Sequence, residues 1–83
     1  MNYFVYVLKS KITDKSYVGS TNDLEWRLHE HNNGKSLYTS RYKPWKIIYK
    51  EEFHTLKEAR DREKFLKTRT GRRFLKDVVF KNS

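Results

Sequence analysis

The fold is decided by two short tyrosine-containing runs near the start of the chain, FVYVL at residues 4–8 and SYVGS at residues 16–20. Both runs are rich in β-branched and aromatic residues, which favour strands, and the polar residues 9–15 between them include a turn-like segment. The pattern predicts an antiparallel hairpin. Because successive side chains alternate across a strand, a suitable register places Tyr6 and Tyr17 near each other on one face of the sheet.

Length and composition predict one folded domain spanning residues 1–83. A chain of this length buries only about 60 to 65% of its unfolded surface, so its core is small. The hydrophobic share of 36% is low, but aromatic residues make up 16% and favour an ordered protein over a disordered basic tail. The sequence has no cysteine, which excludes a disulfide framework and a thiolate metal site and fits a cytoplasmic protein. No apolar run reaches the length of a membrane span, so we expect no membrane partner.

The charge of the chain points to a polyanionic partner. Lysine and arginine number 19 against 10 acidic residues, giving a formal charge of +9 and a pI near 9.9. Such a field concentrates nucleic acid around the protein and speeds its capture. A merely soluble surface and an anionic membrane are the alternatives. Nucleic acid is favoured because the basic residues alternate with aromatic ones and no long apolar helix face is present.

A helix is predicted to begin within residues 21–24 and to run to about residue 32. Thr21 or Asn22 can cap its start, and residues 33–34, Asn-Gly, form a C-terminal signal. Leu24 and Leu28 make its apolar stripe.

Arg27 and His31 flank that stripe. A buried guanidinium needs an anion to receive it, so Arg27 either marks a functional site or extends to solvent and pairs with an acid. For His31 a local structural hydrogen bond is favoured.

Residues 35–44 are predicted to form a basic loop that Pro44 closes. Basic side chains alternate there with tyrosines, a composition that suits phosphate contact and base stacking, although a solvated loop looks similar. The residues expected to contact nucleic acid are Lys35, Tyr38, Arg41 and Lys43. A third strand is predicted at residues 45–50, with residues 51–53 trailing off it.

A second helix is predicted from the capping box at residues 55–58 to about Lys67. Its core stripe is Leu56, Ala59, position 63 and Leu66, and position 63 is Glu63. An acid in an aliphatic register either serves a site that needs a carboxylate, which we favour, or is a surface residue or a partner for Arg62 or Lys67.

The C-terminal part of the chain is predicted to form one more helix. Residues 68–71 are expected to break the second helix, and residues 72–80 to form a last helix that caps the core. Residues 81–83 are expected to fray.

Five polar side chains fall on inward or sheet-facing positions: Tyr6, Tyr17, Arg27, His31 and Glu63. The sequence offers no serine or cysteine triad, no phosphate-binding glycine loop and no paired acids for two metals. One carboxylate, one guanidinium and two phenols fit a phosphodiester site with a single metal ion. The carboxylate and waters can hold Mg²⁺, the guanidinium can neutralise phosphate charge, and a phenol or imidazole can take a proton from water.

These residues resemble a known nuclease family. Phe4-Val5-Tyr6 and then Tyr17-Val18-Gly19 are similar to the paired motif of the GIY-YIG nuclease superfamily. Residues 21–34, which include Arg27 and His31, resemble the stretch that follows this motif in small standalone members, and residues 58–67 resemble their second signature. The resemblance covers a motif core of about residues 3–75.

The resemblance implies an α/β (α+β) fold with a three-stranded antiparallel sheet flanked by helices. It makes Tyr6 and Tyr17 the motif tyrosines, one of them a general base or water-positioning group. Arg27 would contact the scissile phosphate, Glu63 would bind a divalent metal, and His31 would transfer a proton or form a hydrogen bond. We add Lys67, at the end of the second signature, to the residues expected to contact nucleic acid.

The chain departs from the family pattern in two places. Phe4 and Val5 stand where the first motif has glycine and isoleucine, so close backbone approach there is not needed or is altered. Many members carry a late asparagine, for which Asn82 is the candidate near the C-terminus. The set of reacting groups is otherwise intact.

The sequence therefore predicts an endonuclease that uses one Mg²⁺ or Mn²⁺ ion and acts on nucleic acid, with DNA favoured over RNA. A nucleic-acid-binding module without catalysis is the alternative from another class, and a protein-interaction domain is a third. Both a monomer and a homodimer are compatible with the sequence. A tyrosine base needs a cation to lower its pKa from about 10, whereas His31 can act unaided, so the identity of the base stays open.

Overall fold

The computed structural model describes residues 2–34 and 37–80. Its strands are β1 (Tyr3–Ser10), β2 (Ser16–Thr21) and β3 (Trp45–Phe53). Its helices are α1 (Leu24–Asn32), α2 (Leu37–Tyr42), α3 (Leu56–Leu66) and α4 (Arg69–Phe74), followed by a π-helical turn (Leu75–Val79). The strands form one antiparallel sheet in the order β2-β1-β3, which confirms the predicted fold class.

The register of the hairpin confirms that the two phenols share a face. Tyr6 lies opposite Gly19 and Leu8 lies opposite Tyr17, so the side chains of Tyr6, Leu8 and Tyr17 point to the same side of the sheet. Because β1 is the central strand, β2 is an edge strand of the sheet. The phenols therefore lie close to an open edge.

Apolar side chains form a core on each side of the sheet. On one side Val5 and Val7 pack with Ala59 and Leu66 of α3 and with the C-terminal helical residues. The other side holds a second cluster, whose members are Tyr6, Leu8 and Trp45, with Leu24 and Leu28 packed against them. Helices α1 and α3 thus cover opposite faces of the sheet.

The predicted N-cap of α1 is wrong by one or two residues. Asp23 is the N-cap, because its Oδ1 accepts a hydrogen bond of 3.1 Å from the backbone nitrogen of Trp26. The hydroxyl of Thr21 accepts instead from the nitrogen of Asp23, one step before the helix. The predicted C-terminal end is confirmed, since α1 ends at Asn32 and Gly34 follows with φ of 77°.

The capping box of α3 is confirmed. Thr55 accepts a hydrogen bond of 3.2 Å from the nitrogen of Glu58, and the helix ends at Leu66. Ala59 and Leu66 are buried as predicted, but Leu56 is 39% exposed because it is the first residue of the helix.

The third strand is longer than predicted. It continues to Phe53, and Glu51 lies opposite Val5 of the central strand. Arg62 of α3 forms hydrogen bonds of 2.8 and 3.0 Å with Glu51. An acid is stable at this inward position because a guanidinium neutralises it.

The basic segment before β3 is a helix rather than the predicted loop. Thr39 in α2 is fully buried, and its carbonyl oxygen accepts a hydrogen bond of 2.8 Å from the indole nitrogen of Trp45. The rings of Tyr38 and Tyr42 also pack near Trp45, with centroids 6.3 and 6.5 Å away. Tertiary contacts therefore stabilise a helix that the polar sequence of this segment does not predict.

The predicted break of the second helix is confirmed, since α3 ends at Leu66, but it is shorter than predicted because residues 69–71 already belong to α4. Thr68 caps α4 by accepting from the nitrogen of Gly71, which lies inside this helix. A Cβ at Gly71 would lie 2.0 Å from the carbonyl oxygen of Phe65, so glycine lets α4 approach the end of α3 closely. The expectations for residues 81–83, including Asn82, lie outside the described residues, as does the one for Lys35. Within residues 2–34 and 37–80, no helix combines the length and apolar character needed to cross a membrane.

Candidate active site

The candidate site lies at the free edge of β2, where groups from both faces of the sheet meet. Tyr6 and Tyr17 come from the face that α1 covers, and α1 also carries Arg27 and His31. Glu63 is on α3, which packs on the opposite face, and it reaches the edge of the sheet through Ser20 of β2. The structure therefore brings the five predicted residues to one edge. We define them together as the candidate site.

Tyr6 is the buried centre of the site. The residue is only 1% exposed, and its phenol oxygen lies 2.9 Å from Nε2 of His31. Nε of Arg27 donates to the same oxygen at 3.4 Å. Arg27 and His31 are four residues apart, so both project from one side of α1 toward the phenol.

Gly19 creates the space for the Tyr6 phenol. A Cβ built at Gly19 would lie 2.6 Å from the phenol oxygen of Tyr6 and 2.9 Å from Cε2 of Tyr17. A side chain at this position would push the two rings away. The close approach is therefore needed at the glycine of the second motif, and Phe4 in the first motif occupies an ordinary half-buried strand position opposite Thr21.

Burial sets the protonation states of the two innermost groups. Desolvation raises the pKa of Tyr6 to about 12, although the hydrogen bond from Arg27 opposes this rise. Desolvation and the nearby charge of Arg27 lower the pKa of His31 to about 4. At neutral pH Tyr6 is therefore a phenol and His31 a neutral imidazole. A cation is beside Tyr6, as a tyrosine base requires, but burial outweighs it.

Arg27 is charged and partly accessible. Its side chain is 39% exposed, and Nη1 lies 3.3 Å from the carboxylate of Glu30, the next acid along α1. The hydrogen bond to Tyr6 raises the pKa of this guanidinium, so it keeps its charge at any working pH. The pairing with an acid that one interpretation predicts is confirmed, whereas a functional role of Arg27, which also contacts the buried phenol, stays a prediction.

Tyr17 connects the site to the surface. Its ring centroid lies 6.3 Å from that of Tyr6 and 4.8 Å from the ring of His31. On its other side, Lys67 places its ammonium group 6.0 Å from the ring centroid. Tyr17 is only partly buried, so its ring forms part of the accessible surface of the site.

Glu63 is held at the edge of the sheet by two donors. The Ser20 hydroxyl donates to Oε1 at 2.6 Å, and the Lys67 ammonium lies 2.6 Å from Oε2. Partial burial raises the pKa of this carboxyl, but the bonds from Lys67 and Ser20 outweigh it and hold the pKa below its usual value. Glu63 is therefore ionised at neutral pH. Of the partners considered from sequence, Lys67 pairs with Glu63 and Arg62 does not, because Arg62 binds Glu51.

Sequence reasoning missed Ser20, although it lies inside one of the quoted runs. The alternation of β2 places Ser20 on the face opposite Tyr17 and Gly19, which is the face that α3 covers. The sequence shows the Ser20 hydroxyl and the Glu63 carboxylate, but it does not show that they meet. That contact follows only from the packing of α3 against the edge strand.

The surroundings of Glu63 fit a hydrated divalent ion. Among the described residues, no three His, Cys, Asp or Glu side chains cluster in a way that could hold a metal. Mg²⁺ needs no such cluster, because it retains several waters and often binds through one carboxylate and the substrate phosphates. The ammonium of Lys67 already lies 2.6 Å from Oε2, so an ion at this oxygen would compete with it. Glu63 is the carboxylate of the candidate site that could hold such an ion, with waters completing its coordination.

The residues expected to contact nucleic acid are divided between two places. The structure brings Tyr38 to Tyr17, with ring centroids 6.2 Å apart, and Lys67 to both Tyr17 and Glu63. Arg41 and Lys43 are exposed near the end of α2 and just beyond it. Tyr38 and Lys67 therefore border the candidate site.

Proteins of similar sequence have similar length and one has a solved structure. The chain is 41% identical over 83 residues to the UPF0213 protein CPE1444 of Clostridium perfringens, covering 99% of this chain and 87% of that protein. It is 42% identical over 74 residues to the UPF0213 protein YazA of Bacillus subtilis, covering 87% and 73%. The solution NMR structure of the UPF0213 protein BH0048 from Bacillus halodurans matches with a TM-score of 0.56 at 30% identity, covering 94% of this chain and 85% of that one.

The family comparison agrees with the motif and with the geometry. Residues 2–76 match the GIY-YIG catalytic domain. Domains of this type have a nuclease-like function on nucleic acid and generally use a divalent metal. The match includes both tyrosine runs, α1 and α3, so every residue of the candidate site lies inside it. The chain belongs to the GIY-YIG catalytic domain family.

Proposed function

We propose that this protein is an endonuclease that hydrolyses phosphodiester bonds in nucleic acid, with DNA as the favoured substrate, using one Mg²⁺ or Mn²⁺ ion. The observation that carries the proposal is the convergence of Tyr6, Arg27 and Glu63 at the edge of β2. A partly exposed guanidinium and an ionised carboxylate border a buried phenol there. The charge of +9 supports a polyanionic substrate.

Arg27 binds the scissile phosphate in this proposal. Its side chain is partly exposed, and a guanidinium can form two parallel hydrogen bonds to phosphate oxygens. The single contact to Glu30 at 3.3 Å leaves donors for the substrate. Charge that develops on the phosphate in the transition state is stabilised by this cation.

Tyr6 and His31 handle the proton of the attacking water. When the neutral imidazole carries its proton on Nδ1, Nε2 accepts the phenol proton of Tyr6 while the phenol oxygen takes a proton from water. Tyr6 then never needs to become a phenolate, which its pKa of about 12 disfavours. A phosphate bound at Arg27 offsets part of the charge that lowers the pKa of His31, so substrate binding makes His31 a better base.

Glu63 is the proposed metal ligand, and Ser20 orients it. The hydroxyl of Ser20 fixes Oε1 at 2.6 Å, which leaves Oε2 as the oxygen facing Lys67. A divalent ion held by Glu63 would supply charge neutralisation at the phosphate. It would compete with the Lys67 ammonium for Oε2, and a displaced ammonium would be able to contact a phosphate.

A binding module without catalysis is the second candidate function. One observation favours it, namely the ion pair between Lys67 and the oxygen of Glu63 that a metal requires.

The proposal also takes residues 1–83 as one domain in the cytoplasm, as a monomer or homodimer. Cutting both strands with one site requires two copies or two successive visits.

Nicking of supercoiled plasmid tests the proposal. We expect the wild-type chain to nick with Mg²⁺ or Mn²⁺ and to stop with EDTA, and Glu63→Ala to be inactive. Glu58→Ala is the matched control, because Glu58 is exposed on the same helix. Equal nicking by wild type and Glu63→Ala would overturn the enzymatic proposal. Salt-sensitive binding without any metal-dependent product would support the second candidate.

A further inference from the structure

An open cleft of about 600 Å³ runs beside the candidate site along β2. Its volume is within the range of about 300–1,000 Å³ found for sites that bind small molecules. The residues that matter for its chemistry are Lys15, Tyr17, Tyr38, Lys67, Arg72 and Phe80. The cleft therefore combines aromatic rings with cationic side chains, which is the composition of surfaces that stack bases and hold phosphates.

The ring of Tyr38 is a preorganised stacking surface. The residue is 42% exposed, yet its hydroxyl donates to the carbonyl oxygen of Ser16 at 3.1 Å. Its ring lies 5.3 Å from the ring of Tyr42 and 6.3 Å from that of Trp45, centroid to centroid. An aromatic side chain that is held in place loses little conformational entropy when a ligand stacks on it.

The cleft and the candidate site are continuous. Tyr17 and Lys67 line the cleft, and the same two residues contact His31 and Glu63 of the site. Lys67 spans the boundary, with its ammonium 2.6 Å from the Glu63 carboxylate and 6.0 Å from the Tyr17 ring centroid. A nucleotide whose phosphate lies between Arg27 and Glu63 is therefore adjacent to the cleft.

Charge complementarity identifies the occupant as part of a nucleic acid. Lys15, Lys67 and Arg72 are exposed around the opening, against one acid, Asp14. A base inside a duplex is stacked on both sides and paired, so it cannot place a face on Tyr38. Only an unpaired base can enter.

We propose that this cleft binds the base of an unpaired nucleotide next to the scissile phosphate, so that the substrate class is DNA with a bulge, flap or single-stranded junction. The inference rests on the proposed endonuclease function, because that function places the phosphate at Arg27 and Glu63. It goes further by assigning a base-binding role to Tyr38 and Tyr17 and a phosphate contact to Arg72. Uninterrupted duplex is then the poorer ligand.

Binding of two matched oligonucleotides tests the inference. Both are fluorescein-labelled duplexes with a single-nucleotide bulge, and one of them has an abasic residue in the bulge. The affinities are measured by anisotropy with the full chain in EDTA, so that no cleavage occurs. We expect the probe with a base to bind roughly tenfold more tightly than the abasic probe.

Variants of Tyr38 show whether the preference depends on the cleft. We expect Tyr38→Ala to remove the preference for the base and Tyr38→Phe to retain it, since the phenylalanine ring still stacks. Equal binding of both probes by the wild type would overturn the inference. A preference that survives in a folded Tyr38→Ala chain would overturn it as well.

Arg72 offers a second test that does not disturb the packing of α2. Arg72→Ala should weaken both probes and reduce the slope of log affinity against log salt by about 1. Arg73 is the matched control, because it is also exposed and follows Arg72 directly but does not line the cleft. Equal effects of Arg72→Ala and Arg73→Ala would contradict a role for the cleft.

Plasmid nicking separates this inference from the proposed function. Nicking by a wild-type chain that shows no preference for the base would leave the endonuclease standing and refute the base site. A clear preference without any nicking would support the base site on a binding module and refute the endonuclease.

Discussion

Two clusters in this protein contain the same three side-chain types, a tyrosine, a glutamate and an arginine, but the arginine and the glutamate pair with each other in only one of them. In the first, Arg62 forms two hydrogen bonds with Glu51, and the Tyr49 hydroxyl donates to the same carboxylate. The guanidinium also lies 5.1 and 5.2 Å from two ring centroids, those of Phe65 and Phe74. We call Tyr49, Glu51 and Arg62 the closed cluster.

The candidate site keeps its charged groups apart. Within the part of the chain that the structure describes, no ion pair joins Arg27 to Glu63, because they approach the edge of β2 from opposite faces of the sheet. Arg27 makes one contact of 3.3 Å to Glu30, and Glu63 binds Ser20 and Lys67. The closed cluster satisfies its own charges within the fold, whereas Arg27 and Glu63 are paired with other, partly exposed side chains and not with each other.

Removing each carboxylate in turn gives the largest expected contrast. Glu63→Gln should lower the nicking rate about 10²- to 10³-fold, because a neutral amide holds a divalent ion poorly. Glu51→Gln should leave the rate unchanged and lower the free energy of unfolding by roughly 1–2 kcal/mol, because hydrogen bonds to an ionised group are lost. Initial nicking rates and urea unfolding of both variants check this. A large rate loss in a folded Glu51→Gln chain would erase the distinction.

The two clusters should lose stability in different pH ranges. The pKa of His31 is lowered to about 4, so the unfolded chain binds the proton more readily below pH 6.5. Stability that depends on neutral His31 is therefore lost as the pH falls from about 6.5 to 4, by about 3 kcal/mol at 1.36 kcal/mol per unit of pKa. Arg62 and Tyr49 outweigh burial and hold the pKa of Glu51 below its usual value, so its contribution is lost only at lower pH, below about 4.5.

Urea unfolding at several pH values measures both windows. His31→Gln should flatten the loss between pH 6.5 and 4.5, whereas the same substitution at the exposed His29 should preserve it. An unchanged slope in His31→Gln would contradict the burial of a neutral imidazole beside Tyr6.

A methyl group at Gly19 tests how tightly the phenols are packed. Gly19→Ala places a carbon 2.6 Å from the Tyr6 oxygen, so we expect a loss of about 1–3 kcal/mol of stability together with reduced nicking. Thermal unfolding and the nicking assay report the two effects. Gly71→Ala is the comparison, since it should destabilise the junction of α3 and α4 and leave the rate per folded molecule intact. Full stability and activity of Gly19→Ala would show that the ring of Tyr6 is free to move.

Exchanging each arginine for lysine gives the smallest expected contrast. Arg27→Lys should reduce the rate roughly tenfold and change DNA affinity less, because lysine keeps the charge and loses the two-point contact with phosphate. Arg62→Lys should cost roughly 1 kcal/mol of stability at an unchanged rate. Single-turnover nicking and binding titrations distinguish rate from affinity. A larger rate loss in Arg62→Lys than in Arg27→Lys would reverse the roles of the two clusters.

The features that the sequence predicted correctly are those with local causes. The hairpin follows from strand propensity and alternation, and the start of α3 from the Thr55 capping box, since each needs only neighbouring residues. The register of α3 also placed Glu63 correctly, between the buried Ala59 and Leu66. The family motif then assigned roles to residues that are far apart in the chain.

The features that the sequence failed to predict depend on distant contacts. Helix α2 needs Trp45, and the inward Glu51 needs Arg62. Gly71 is a contact with α3 rather than a helix breaker. The contact between α3 and the edge strand β2 could not be predicted either, because no local sequence pattern shows that these two elements are neighbours.

The most direct test of the metal-dependent site is a crystal structure with Mn²⁺ and a bound oligonucleotide, read from the anomalous density of manganese. We expect one peak beside the Glu63 carboxylate, with the Lys67 ammonium displaced from Oε2 and a phosphate between the ion and Arg27. Lys67 still paired with Glu63 and no manganese peak, with the oligonucleotide bound, would contradict a metal-dependent nuclease.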